Sequence, residues 1–188
     1  MSNIRKSSYF RLIVITAVCS LCIAGLVYFF SGNRVPIYDF SPARDMQPVL
    51  KIFDKDWYWL VYGVTPEEYS PEFTLKYRTP DRNPLNFGKL IIKVMREGGK
   101  TVGFVAYYKK NFYRYKLLYL AVGREFRGKG YGVKLAKYAI QDMFSRGAKV
   151  IRLVTRVNNI KSRNLYKKLD FKETITEGDL IYFELRKK

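Results

Sequence analysis

The chain has 188 residues, 48% of them hydrophobic and 16% aromatic, which suits one packed domain with an appendage and leaves no room for two enzymatic domains. It carries a formal charge of +19 and no histidine, so Ser-His-Asp and Cys-His nucleophile systems and imidazole-based zinc sites are excluded. Cys19 and Cys22 both fall in an apolar N-terminal run, so the folded domain is expected to hold no disulfide, no thiolate cluster and no metal site.

Residues 1–11 form a short basic flank with Arg5, Lys6 and Arg11. Residues 12–30 follow without a charge and, as a helix, span about 28 Å, close to the hydrocarbon thickness of a bilayer. Tyr9 and Tyr28 suit its two interfaces. The run is longer than a signal-peptide core, and bulky residues follow its best small-x-small site, Cys22-Ile23-Ala24, so an uncleaved transmembrane helix is expected. The basic flanks nearly balance, Arg5, Lys6 and Arg11 against Arg34, Arg44, Lys51 and Lys55, and so do not fix its orientation. Residues 31–34 are a linker to a domain at 35–188. Three of the nineteen excess positive charges precede residue 31, which leaves +16 on the rest, densest between Arg124 and Lys168. Such a domain attracts polyanions: nucleic acid, anionic lipid headgroups or a phosphate-bearing cofactor.

Within the domain, Val35 to Phe40 reads as a strand and Pro42 to Phe53 as a short helix begun near Ser41. Asp54 to Asn86 carries Pro66, Pro71, Pro80 and Pro84 and reads as loops with short helical pieces. KLIIKVMR and TVGFVAYYK, joined through Gly98-Gly99, predict a hairpin. Tyr115 to Val122 makes a third strand, and Tyr131 to Phe144 a helix with Leu135, Ala136, Ala139, Ile140 and Met143 on one face, ended by Gly147. Val150 to Val157 is another strand, and Asn159 caps a helix whose packed face is Ser162, Leu165, Tyr166 and Leu169. Leu180 to Leu185 closes the chain. This order predicts an α/β (α+β) domain with a mixed sheet and helices on both sides.

The window LAVGREFRGKGYGVKLAKYAI joins a strand, a glycine-rich turn and a helix start. Gly128, Gly130 and Gly132 let the main chain approach a phosphate at a helix N-terminus, and Arg127 and Lys129 add charge, so a pyrophosphate site is inferred. Gly123 to Lys129 fits G-x-x-x-x-G-K, but Gly130 stands where a P-loop needs Ser or Thr. The dinucleotide fingerprint also fails, because no acid follows some 20 residues on at the end of a strand, Asp142 lying within the helix.

The same residues resemble the GNAT superfamily of Gcn5-related N-acetyltransferases. Arg127-Gly128-Lys129-Gly130-Tyr131-Gly132 is similar to its R/Q-x-x-G-x-G/A signature. NIKSRNLYKKLDF is similar to a second element, N-x-x-A-x-x-x-Y-x-x-x-G-F, with Asn159, Tyr166 and Phe171 in place and Ser162 and Asp170 departing from it. The resemblance covers 35–188 and implies a GNAT-type fold with a mostly antiparallel sheet and acetyl-CoA as co-substrate. It implies that amides of Arg127, Gly128, Lys129, Gly130, Tyr131 and Gly132 bind the pyrophosphate, that Leu120 and Val122 flank the pantetheine arm, and that Asn159 and Ser162 help hold the cofactor. It also implies that Tyr166 protonates the departing thiolate as the acetyl group passes directly to an amine-bearing acceptor. No base is assigned; Tyr119 with water, Glu67, Glu68 and Glu72 are the candidates. The apolar run predicts a single-pass membrane protein, and because acetyl-CoA is chiefly cytosolic, the resemblance implies that its domain faces the cytoplasm, where its basic surface would lie against anionic lipid. The alternatives are an inactive membrane-tethered binding module and a basic nucleic-acid-associated protein, for which no motif is present.

Overall fold

The computed structural model describes residues 35–62, 70–75 and 89–188. The apolar run at 12–30, its flank and linker, Glu67 and Glu68 lie outside the described residues; among those described, no helix is long and apolar enough to cross a membrane.

Seven strands form one sheet in the order β1-β2-β3-β4-β5-β7-β6. β1 (Ile37–Asp39) is shorter than the sequence suggests and lies antiparallel to β2 (Ile91–Glu97). β2 turns into β3 (Lys100–Lys109) through Gly98 and Gly99, whose φ angles of 55° and 78° are the left-handed pair a two-residue turn requires. β4 (Arg114–Val122) continues the antiparallel order, and β5 (Val150–Arg156) joins it in parallel. β7 (Leu180–Arg186) and β6 (Lys172–Glu177) complete the sheet; β6 was not legible in the sequence, because all of its residues are exposed and only pairing with β7 makes it a strand.

Helix α1 (Pro42–Leu60) begins after Ser41, as expected, but runs seven residues beyond Phe53, with one break at Asp56 (φ −121°, ψ 15°). It buries Val49, Leu50, Ile52 and Phe53 against Ile92, Val94, Phe104, Ala106, Tyr108, Tyr119 and Ala121. A short helix, α2 (Pro71–Leu75), follows. Helix α3 (Tyr131–Ser145) buries Leu135, Ala136, Ala139 and Met143, keeps Ile140 half-buried and exposes Lys134, Lys137 and Gln141. It covers the other face of the sheet. Tyr107, next to Ala106, donates to Asp142 Oδ2 at 2.6 Å, and Lys93, next to Ile92, stands 5.7 Å from the Tyr138 ring. Helix α4 (Ile160–Lys168) packs more thinly than its sequence suggests: Tyr166 is buried, while Ser162, Leu165 and the capping Leu169 are only half-buried.

Two irregularities shape the middle of the sheet. In β4, Tyr119 pairs with Ala106 and Leu117 with Tyr107, so Leu118 is an extra residue and the strand bulges. The bulge switches the alternation. Tyr115 therefore reaches Arg146 O at the end of α3 (3.5 Å), while Tyr119 packs edge-on against Phe53 of α1 (5.1 Å). Second, β4 and β5 pair only over Arg114–Lys116 and Val150–Arg152. Beyond Lys116 and Arg152 the two parallel strands run on unpaired, and their facing edges form an opening beside the bulge.

Candidate functional site

The glycine-rich loop leaves β4 at the open end of that wedge. Gly123 donates to Val102 O (2.9 Å), a single 3₁₀ turn spans Arg124–Phe126, and Gly130 serves as N-cap of α3. Gly128 and Gly130 have φ of 83° and 76°, a left-handed conformation in which other residues are strained. A Cβ at either glycine would meet no atom within 4 Å, so the space beside both is open. The first bond of the α3 ladder runs from Lys134 N to Gly130 O (3.1 Å), and among the described residues no acceptor takes the amides of Gly130, Tyr131, Gly132 and Val133. The Arg127 amide is not part of this open set, since it donates to Arg124 O at 3.4 Å. Four free N–H groups at the positive end of a helix form a ready site for an anion.

The loop's cations are engaged rather than free. Arg127 donates from Nε to Val122 O (3.0 Å) and from Nη2 to Asp56, and Arg124 Nε lies 3.4 Å from the same carboxylate. On the other side, Lys129 Nζ reaches Glu97 Oε2 at 3.3 Å, and the Tyr131 hydroxyl donates to Glu97 Oε1. The Tyr131 hydrogen bond, aided by Lys129, holds the Glu97 carboxyl below its usual range, and the same bond pushes the Tyr131 hydroxyl up. Arg127 and Lys129 bring charge to the loop, and their side chains also fasten it to α1 and to the β2–β3 turn. Asp56 and Glu97 were missed in the sequence. Asp56 lies 71 positions from Arg127, and nothing local marks it.

Gly132 brings three elements together. A Cβ there would come within 3.3 Å of Leu165 Cδ1 and 3.9 Å of Val122 Cγ2, so the end of β4, the start of α3 and helix α4 approach closely because the residue has no side chain. The two motifs noted in the sequence thus meet at one place. Asn159 accepts from Ser162 N (3.2 Å) and caps α4 as expected. Leu120 is half-buried and Val122 buried, both on the stretch of β4 that has no β5 partner, and the Val122 carbonyl is already taken by Arg127. The Tyr166 ring packs against Phe171 (5.7 Å) and Phe183 (5.8 Å), and burial pushes its hydroxyl above the ordinary tyrosine range. Of the candidate bases, Tyr119 packs into the α1 core, and Glu72 accepts from Ser70 Oγ at 3.3 Å on α2. Among the described residues no three His, Cys, Asp or Glu side chains converge.

This geometry makes Gly130→Val a sharp probe. A β-branched residue at φ 76° is strained by roughly 1–2 kcal/mol, and its methyls would occupy the open space beside the free amides. Calorimetry with a diphosphate-bearing ligand should show affinity falling by about 10-fold or more, while circular dichroism shows the fold intact.

Residues 47–171 match the Acetyltransferase (GNAT) family. No curated protein matches the chain. Among solved structures, the chain resembles PaiA N-acetyltransferase from Thermoplasma acidophilum in complex with coenzyme A, with 22% identity, a TM-score of 0.65, and coverage of 81% of this chain and 98% of that one. It also resembles Ard1 from Thermoplasma volcanium (21% identity, TM-score 0.61, 80% and 96% covered). A third likeness is the ribosomal-protein-S18-alanine N-acetyltransferase from Escherichia coli (17% identity, TM-score 0.59, 80% and 92% covered). At these identities the likeness is one of fold. The family match, spanning more than half of the sequence, establishes that the chain belongs to the GNAT acetyltransferase family.

Proposed function

We propose that the protein is an acetyl-CoA-dependent N-acetyltransferase that transfers acetyl directly to the amine of an acceptor, and that residues 12–30 tether it to a membrane with the domain in the cytoplasm. The observation that carries the enzymatic reading is the row of unpaired amides from Gly130 to Val133 at the mouth of the β4–β5 wedge. These features fit coenzyme A on two counts. Free helix-terminal amides match its diphosphate, and an unpaired strand edge offers main-chain partners to its amide-bearing pantetheine arm. Bound there, acetyl-CoA supplies the activated acyl thioester.

The chain's own residues divide the remaining work. Gly130, Tyr131, Gly132 and Val133 present their N–H groups, and Gly128 keeps the approach clear. Leu120 and Val122 line the open edge of β4, while Asn159 and Ser162 fix the first turn of α4. Tyr166, on that helix, is protonated at neutral pH as any tyrosine is, and burial disfavours its phenolate further, which keeps it in the state a general acid needs toward a departing thiolate. The membrane reading is supported by the length and flanks of 12–30 and by the charge of +16 on the remainder, which favours an anionic leaflet.

Calorimetry of the full chain with acetyl-CoA, followed by thiol-release assays over a panel of amines, tests the enzymatic reading. Binding with turnover of at least one amine is expected; absence of binding overturns it, and binding without turnover points to the inactive module. A reporter fused to the C-terminus should stay inside the cell, and its appearance outside would overturn the topology.

A further inference from the structure

Helix α1 breaks once, and the residue at the break is a buried acid. Asp56 has a side chain 6% exposed, and a carboxylate taken so far out of water requires partners. Its two partners among the described residues come from the cofactor loop: Arg124 opens its 3₁₀ turn, and Arg127 directly precedes Gly128. Arg124 also donates from Nη2 to Lys55 O, a carbonyl beside the break. Arg127 adds Nε to Val122 O, so one guanidinium joins the last carbonyl of β4 to the broken turn of α1. We propose that Asp56 is a positioning residue, which through Arg127 and Arg124 sets the direction of the amides at the start of α3. The proposal deepens the coenzyme A reading of that loop and rests on it.

The physical need is plain. Gly128 and Gly130 allow the main chain to face an anion, but glycine fixes no conformation and adds entropy that ordering must overcome. Something outside the glycines has to hold the segment. The residues from Val122 to Arg127 are pinned by the Asp56 pair, and α3 begins only four residues later, at Tyr131. Coulomb attraction argues for the opposite result. If Asp56 acted merely as a negative charge near an anion site, removing that charge would tighten binding. If it positions the loop, removing it weakens binding, so the sign of the change separates the two.

The test measures coenzyme A binding by calorimetry on the full chain, comparing the parent with Asp56→Asn, Arg127→Gln and the double variant. Each single variant should weaken binding by about 10-fold, and the double variant should be no weaker than the worse single one, as expected for residues acting as one unit. Hydrogen exchange over 123–133 should quicken in Asp56→Asn, while the strands of the β2–β3 hairpin keep their protection. Unchanged or tighter binding in Asp56→Asn overturns the proposal, as does a double variant whose loss is the product of the two single losses. Should Asp56→Asn fail to fold, Arg127→Gln carries the test, because that side chain is 47% exposed: parental affinity there also overturns it. If the parent binds no coenzyme A, the cofactor reading fails by itself. Exchange over 123–133 then decides alone whether Asp56 orders the loop, and unchanged rates overturn it.

Discussion

Replacing Tyr166 with phenylalanine should lower kcat by about 100- to 10,000-fold while KM for acetyl-CoA changes little, which is the range a positioned general acid contributes. The variant keeps the ring that packs on Phe171 and Phe183, so melting temperature should hardly move. Among the described residues no partner takes the hydroxyl, so its removal leaves no orphaned donor or acceptor behind. A loss of turnover without a loss of stability therefore isolates chemistry from packing. The pH profile supplies a second check. A general acid works only while protonated, and burial raises the Tyr166 hydroxyl above the ordinary value of 10. The parent should thus show no alkaline decline from this group within the usual tyrosine range. Steady-state kinetics between pH 6 and about 10 would measure both effects. Equal turnover in the two proteins at every pH would leave Tyr166 as a core residue.

The elements that sequence made legible are those whose signals are local. Gly98-Gly99 marks a turn that needs two left-handed residues, the apolar positions of α3 repeat with the helix period, and Asn159 caps through a residue three positions on. The glycine loop was equally readable, because three alternating glycines across a helix start free its amides for an anion. What escaped notice depends on distant partners. The last third of α1 reads as a polar run followed by aromatics, yet Arg156 of β5 stabilises it by donating to Tyr58 O (2.8 Å) and Val61 O (3.4 Å) with its guanidinium 4.0 Å from the Tyr58 ring. Those carbonyls lie at the C-terminal end of a helix whose own last turn has no basic residue, so the cation that suits the dipole comes from another strand. The bulge at Leu118 left no trace in the pattern of YKLLYLAV, although it turns Tyr119 into the core and marks the region where β4 parts from β5. Asp56 and Glu97 carry no local signal, because only the fold brings Arg127 and Lys129 to them.

The largest loss of stability should come from Asp45→Ala, about 3–5 kcal/mol, because the variant strands a buried cation. Asp45 is fully buried and Arg96 is 9% exposed; the two meet through Nε to Oδ1 (3.1 Å) and Nη2 to Oδ2 (2.6 Å). Thr101 Oγ1 (2.9 Å) and the Ser41 amide (2.8 Å) complete the carboxylate's bonds, so one acid ties the start of α1 to both strands of the β2–β3 hairpin. Burial alone would raise this carboxyl, but hydrogen bonds from Arg96, Ser41 and Thr101 outweigh it and hold Asp45 below the ordinary aspartate range. A depressed carboxyl contributes stability that is present above its unfolded pKa, about 3.9, and is lost as pH falls through the lower folded value. Urea titrations should therefore find the gap between parent and Asp45→Ala constant near pH 7 and narrowing only below about pH 4. The consequence extends to the cofactor loop, since Glu97, which holds Lys129 and Tyr131, directly follows Arg96. At a temperature where Asp45→Ala is still folded, its coenzyme A affinity should fall as well, because the hairpin that steadies one side of the loop has lost its buried tie to α1.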